Sequence, residues 1–311
     1  MVKNETAAAI ALGITKRREL LRKLTHNQRR KLLEELFIDF FANQHLTLQK
    51  WAALTGQTAQ VDTGYIAQFV ASIVLQEPGQ GFRGKGDDLT DGSEVKSAAN
   101  ISGVDRPRWN HNLGSLVDDA VQIENGREER WRKYLNSPYL FYVLVDRPFT
   151  AGGKSGGVPI RIRAWCIDAQ EDESWRSLIL KFVESRSGRT YNFQLHPPVG
   201  HDDDLVVNTL GNLDFREVLV FDARLYVRPD GQHKLEWHKE LPSEVLGIRG
   251  RTVALEYERQ PSRATRLTET SDIVADVAMV PQLFASVFAE AQVEAVEEAL
   301  KADMGSSSDQ D

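Results

Sequence analysis

The sequence contains a single cysteine, Cys166, in 311 residues. That excludes any intramolecular disulfide and any zinc site built from several cysteines. Cys166 sits in an alternating apolar run and reads as a core residue. No apolar stretch approaches the ~20 residues needed to cross a bilayer. The opening Met1-Val2-Lys3-Asn4-Glu5-Thr6 lacks the basic-then-apolar pattern of a secretory leader, and residues 7–12 are too short for its apolar region. A reducing cytoplasm is the expected location. An excess of positive charge is missing as well. The chain has 38 Lys and Arg against 45 Asp and Glu, a net charge of −7. A protein that coats nucleic acid indiscriminately is basic, because phosphate neutralisation supplies much of its affinity. Any such contact here has to be local.

What the chain does contain is enough apolar material for a packed core, at 41% hydrophobic and 8% aromatic residues. The length fits one large domain or two small ones at roughly 100–200 residues each. Basic charge is clustered: Lys16, Arg17, Arg18, Arg22, Lys23, Arg29, Arg30 and Lys31 fall in one stretch opposed only by Glu19. The last residues are acidic and serine-rich and read as a disordered tail, 304–311.

Residues 1–77 read as helical. Apolar residues recur at helical spacing over 32–41. A short helix follows over 47–54 with Thr47 as its cap and Gly56 as its stop. Asp62 or Thr63 caps a third helix reaching about Gln76, with Ile66, Phe69, Val70 and Ile73 on one face. After Pro78 the pattern turns to strands at 139–145, 160–167 and 218–227, the last closed by Pro229-Asp230-Gly231. Residues 175–183 suit helix or strand. Helices are expected at 113–123, at 128–135 and from near Ser271 to about Ala302, kinked near Pro281. A helical, basic N-terminal region (1–60) therefore precedes a mixed core (61–303).

Asp91-Gly92 is a strong hairpin-turn signal. The arm before it carries Asp87 and Asp88. The arm after it carries Glu94 and Lys96, two residues apart and so on one face of a strand. Facing carboxylates suit a hard divalent cation such as Mg²⁺. A neighbouring lysine can orient a water and stabilise developing negative charge. Together these groups suit metal-assisted phosphodiester cleavage. A strict two-residue turn places Asp87 on the Glu94/Lys96 face, whereas a one-residue bulge brings Asp88 opposite Glu94. The alternative is a solvated hairpin with a surface salt bridge between Glu94 and Lys96.

Asp88-Leu89 followed by Glu94-Val95-Lys96 resembles the PD-(D/E)XK nuclease signature, with Asp87 standing where that signature has proline. The likeness over residues 47–112 and 191–215 further resembles bacterial type II restriction endonucleases of the MamI-like group. The resemblance implies an α/β (α+β) fold with a mixed central sheet flanked by helices. It implies Asp88 and Glu94 as metal ligands for Mg²⁺, Lys96 acting on the attacking water, and a bacterial or archaeal homodimer on double-stranded DNA. Asp87 remains the alternative first acid.

Flanking segments fit that reading. Gln68 and Glu77 on the preceding helix are candidates to support the metal site, although Glu77 reads better as an exposed helix residue. Arg83 and Lys85 lie in a glycine-rich entry loop suited to phosphate. Asn100, Arg106, Arg108, Trp109, Asn110 and His111 form a patch whose arginine and asparagine types pair bidentately with bases. The alternative there is a structural loop around Trp109. Residues 192–198 and 208–213 form a third polar patch, better read as structural, and His201-Asp202-Asp203-Asp204 reads as an exposed acidic loop. Two other functions remain: a structure-specific or repair nuclease of the same superfamily, and a non-catalytic DNA-binding protein reading DNA through residues 15–31 and 47–70.

Overall fold

The computed structural model describes residues 14–57, 62–79, 88–98, 111–112, 137–146, 160–184, 192–193, 205–208, 211–228, 230–244, 246 and 277–289. Helix α1 covers residues 14–22. Helix α2 (His26–Phe37) opens on a capping box. Thr25 Oγ1 accepts from the Gln28 N–H at 3.2 Å, and the Gln28 side chain accepts from the Thr25 N–H at 2.9 Å. A π-helical turn at Ile38–Asn43 leads directly into α3 (Gln44–Thr55), which ends at Gly56 with φ +72°. Thr47 is therefore not a cap. The helix does not break ahead of it, no N–H is left unpaired there, and its hydroxyl donates to the Asn43 carbonyl at 3.0 Å.

Helix α4 (Thr63–Leu75) starts from Asp62, whose carboxylate accepts from the Gly64 N–H at 2.8 Å. It buries Ile66, Ala67, Val70, Ala71 and Val74. Phe69, expected on that face, is 48% exposed and leans on Phe40 at a ring separation of 6.3 Å. The two alanines shift the buried stripe away from Phe69.

Beyond α4 come β1 (Glu94–Ala98), β2 (His111–Asn112), β3 (Tyr139–Asp146), β4 (Ile160–Asp168) and helix α5 (Glu173–Glu184), which settles the ambiguous 175–183 segment as helix. Then follow β5 (Asn192–Phe193), β6 (Leu205–Asn208), β7 (Gly211–Asp214), α6 (Phe215–Val218), β8 (Leu219–Val227) and β9 (His233–Lys239). The main sheet is mixed and runs β1-β3-β4-β8-β9, with β1 parallel to β3 and the other pairs antiparallel. Strand β3 is buried along nearly its whole length, as its unbroken apolar run requires of a strand covered on both faces.

Register divides the sheet into two faces. Val95, Phe141, Val143, Val145, Ile162, Ala164, Phe221 and Ala223 pack against α2 and α4 in the main core, where Phe37 meets Phe41, Phe221 and Trp237 at 6.0–6.3 Å. A core phenylalanine of this kind is worth about 3–5 kcal/mol by truncation. Glu94 and Lys96 lie on the opposite face, in register with Leu140 and Tyr142. Cys166 is half-buried and packs against the main core, and burial pushes its thiol pKa up.

The C-terminal helix differs from expectation. Within residues 277–289 the chain forms a 3-10 turn (Val277–Met279), then α7 (Val280–Leu283), a break at Phe284, and a helical segment at 285–289. Pro281 sits in the first turn of α7, where its missing N–H is tolerated. The break at Phe284 falls just after the proline, near where the kink is expected. Val287 is buried with Leu24 and Leu32, and Phe284 and Phe288 pack against them. The helices expected at 113–123 and 128–135, and the 304–311 tail, lie outside the described residues. No helix among the described residues is long and apolar enough to cross a membrane.

Candidate active site

The Asp91-Gly92 turn forms, with three residues in its loop instead of two. The Gly92 N–H donates to the Leu89 carbonyl at 3.2 Å, and the Leu89 N–H donates to the Ser93 carbonyl at 3.1 Å. Gly92 has φ +93°, a left-handed conformation that favours glycine. Two bonds prevent the tighter turn. Asp91 takes the Ser93 N–H at 2.8 Å, and the Pro78 carbonyl takes the Thr90 N–H at 3.0 Å. Neither group is left for pairing across a two-residue loop. The Ser93 carbonyl also accepts from the Asp88 N–H at 3.2 Å, so the turn sets Asp88 beside the start of β1. The second arm is also more than half of a hairpin: β1 joins the main sheet beside β3.

Two side-chain pairs meet at the Val95 backbone, Gln68 with Asp88 and Lys96 with Glu94. Asp88 is held at both oxygens, Oδ1 accepting from Gln68 Nε2 at 2.7 Å and Oδ2 from the Val95 N–H at 2.7 Å. Glu94 is 5% exposed. Lys96 Nζ donates to Glu94 Oε1, and to the Val95 carbonyl at 3.4 Å. With Glu94 buried, this pair is not a solvated surface salt bridge. A buried carboxylate needs a partner charge to remain ionised, and Lys96 supplies one.

Glu77 corrects the sequence reading. It is 4% exposed, not an exposed helix residue. It lies just beyond α4 and pairs with Arg18 and Arg22 of α1 at 2.7 and 3.2 Å. The pairing with distant arginines makes the burial tolerable. Asp91 has a pKa raised above its ordinary 3.8, because burial penalises its charge and the Glu77 charge adds to the effect, against the Ser93 hydrogen bonds. Burial likewise raises the Tyr142 hydroxyl.

Asp87, Arg83, Lys85, Asn100, Arg106, Arg108, Trp109 and Asn110 lie outside the described residues, as does the acidic loop at 201–204. His111 is placed by its backbone. β2 pairs with β5, His111 against Phe193 and Asn112 against Asn192, so the second and third polar patches meet in one ladder. β6 and β7 pair antiparallel in a separate two-stranded sheet. Sequence reading did not single out Thr90 and named Arg18 only as part of the basic run, whereas the structure places both against Glu77. No local pattern signals that contact.

The donor chemistry fits a hard cation. Asp88 and Glu94 offer carboxylate oxygen, and the Lys96 ammonium already bonds both the Glu94 carboxylate and the Val95 carbonyl. Among the described residues no group of three His, Cys, Asp or Glu is arranged to hold a metal. Two carboxylates alone suit Mg²⁺, which keeps several waters and takes one or two protein carboxylates.

A family model described as MamI restriction endonuclease matches residues 50–224, which include Gln68, Asp88, Glu94 and Lys96. A relative from Microbacterium ammoniaphilum, named type II restriction enzyme MamI, is 63% identical over 288 residues, covering 93% of this chain and 92% of the relative. No solved structure matches the chain. With the model matching more than half of its length and the relative aligned almost end to end, the chain belongs to the MamI restriction endonuclease family.

Proposed function

We propose that the protein is a Mg²⁺-dependent endonuclease that hydrolyses double-stranded DNA at a specific sequence. The observation that carries this reading is the turn that ties Asp88 to the Ser93 carbonyl and the Val95 N–H, at the start of the strand bearing Glu94 and Lys96. The relative's name, type II restriction enzyme MamI, gives the reaction class, and 63% identity brings it to this chain.

Asp88 and Glu94 would hold the metal. When bound, Mg²⁺ polarises the scissile phosphate and lowers the pKa of a water. The remaining work falls to the chain itself. Gln68 and the Val95 N–H fix the Asp88 carboxylate, so it pays little reorganisation on binding a cation. The Lys96 ammonium donates hydrogen bonds to the attacking water and to the phosphate oxygens as charge builds on them. Arg83 and Lys85 would meet phosphates ahead of Asp88. Arg106, Arg108 and the asparagines beside them would read bases. A homodimer would supply one such centre to each strand.

The test is plasmid cleavage with Mg²⁺, which gives discrete fragments in this reading. Glu94→Ala and Lys96→Ala should each slow cleavage by roughly 10²-fold or more. Wild-type cleavage by both variants would overturn the assignment. Nicking confined to branched or damaged DNA would replace sequence-specific cleavage with repair. Intact DNA under all conditions would leave only DNA binding.

A further inference from the structure

Helix α1 lies outside the segment matched by the family model, yet it reaches the turn that presents Asp88. Glu77 Oε1 accepts from Arg18 Nε at 2.7 Å and from Thr90 Oγ1 at 2.6 Å. Its other oxygen accepts from Arg22 Nη2 at 3.2 Å. Arg18 Nη2 donates to Thr90 Oγ1 at 3.0 Å, and the threonine hydroxyl has two acceptors for its one hydrogen, Glu77 Oε1 at 2.6 Å and the Pro78 carbonyl at 3.1 Å. The Thr90 backbone N–H donates to the Pro78 carbonyl, and a bridge joins Gly79 to Leu89. Next to Glu77, Gln76 Nε2 donates to the Leu21 and Leu24 carbonyls at 2.7 and 2.8 Å.

From these bonds we infer that α1 is a positioning element of the cleavage centre. Arg18 and Arg22 neutralise the buried Glu77. Arg18 and Glu77 together grip Thr90, two residues beyond Asp88. The grip reinforces the Thr90 N–H bond to the Pro78 carbonyl that, with the Asp91–Ser93 bond, holds the three-residue loop. That loop sets Asp88 beside the start of β1, where its carboxylate takes the Val95 N–H. The planar fork of Arg18 is essential, because one guanidinium bonds an acid and a hydroxyl at once, which the single ammonium of lysine does not reproduce. The inference rests on the proposed role of Asp88 and Glu94 as the metal-holding pair.

Single-turnover cleavage of a plasmid, titrated with Mg²⁺, tests it on Thr90→Val, Arg18→Ala, the double variant and Glu94→Ala, with a thermal melt of each. Thr90→Val keeps shape and removes only the hydroxyl. It should lower the rate constant by roughly tenfold or more and raise the Mg²⁺ concentration for half-maximal rate, as displacement of a positioned group does. Duplex binding in Ca²⁺ should stay within about twofold of wild type, which separates positioning from uniform binding. Arg18→Ala should act alike, and the double variant should lose little more than the worse single one, because both act through one network. Arg18→Lys should recover only part of the loss. A lower melting temperature with an unchanged rate constant and Mg²⁺ requirement would overturn the inference and leave a structural role alone. If Arg18→Ala does not fold, Thr90→Val decides the matter alone. If Glu94→Ala cleaves like wild type, the reading of the metal site fails. If only Glu94→Ala is impaired, the role of α1 fails while that reading stands.

Discussion

Replacing Gly92 with alanine separates the geometry of the turn from the stability of the fold. At φ +93° an L side chain costs ~1–2 kcal/mol relative to the right-handed region. Alanine offsets about 0.4–1 kcal/mol of that by restricting the unfolded chain. The net loss is about 1 kcal/mol, which in a protein of this size lowers the melting temperature by only a few degrees. The effect on chemistry should be much larger. If residue 92 relaxes toward negative φ, its N–H leaves the Leu89 carbonyl, and the pairing of Leu89 with Ser93 loosens. Asp88, one residue before Leu89, then moves relative to Glu94. A shift of about 1 Å at a reacting centre costs on the order of 10² in rate. Gly92→Ala should therefore melt within a few degrees of wild type and cleave about a hundredfold more slowly. Asparagine, which tolerates the left-handed region, should recover much of the rate. The assay is single-turnover cleavage at saturating Mg²⁺ beside a thermal melt monitored by circular dichroism. A Gly92→Ala protein with wild-type rate constant would refute the claim that this turn sets the register of Asp88.

Gln68→Ala removes the donor to Asp88 Oδ1 and should raise the Mg²⁺ requirement by roughly 10–100-fold, as loss of a ligand's supporting hydrogen bond does; superimposable Mg²⁺ titrations would exclude the effect. Asp91 has its folded pKa raised above 3.8, so the stability it contributes is fully present at lower pH and is lost as pH rises through the folded value. Relative to Asp91→Asn, wild type should therefore lose stability as the pH climbs above the ordinary 3.8 and through the raised folded value, and urea unfolding across that rise would show the opposite slope if the reasoning is wrong. Arg83→Ala should reduce the slope of log affinity against log salt by about one, whereas Arg18→Ala should leave it unchanged. Fluorescence anisotropy with a labelled duplex in Ca²⁺ reads both, and equal slopes for the two variants would refute the assignment.

The strands most easily read from sequence were those whose burial follows a local pattern. β3 is an unbroken apolar run, and β4 and β8 alternate where they face the main core. β9 was missed although Leu235 and Trp237 alternate with polar residues just past Asp230-Gly231, a period-two signal diluted by its exposed ends. The partner of β1 was beyond reach. Its parallel neighbour Leu140 lies some forty residues on, and parallel pairing leaves no turn between the strands to announce it. The place of Asp88 beside β1 depends on the size of the loop. Bonds from Pro78 and Asp91 to Thr90 and Ser93 decide that size, and only the second of these is local.

The basic run over residues 16–31 shows why a count of charges is a poor guide to where a protein meets DNA. Arg18 and Arg22 serve Glu77. Arg29 is buried and donates to the carbonyls of Pro242 and Ser243 at 3.2 and 2.9 Å. Arg30 lies beside Glu34 and Glu240, each at 3.3 Å, and over the ring of Trp237. Arginine is suited to such positions because its fork satisfies several acceptors while it stays charged. Four of the eight basic residues are thus committed to holding the N-terminal helices onto the core, and reading the run as a free helical DNA surface fails for them. In a chain of net charge −7, affinity for phosphate then has to come from local basic segments elsewhere. Arg83 and Lys85, within five residues of Asp88, and Arg106 and Arg108 after β1 are where the sequence concentrates such charge beside the proposed cleavage centre.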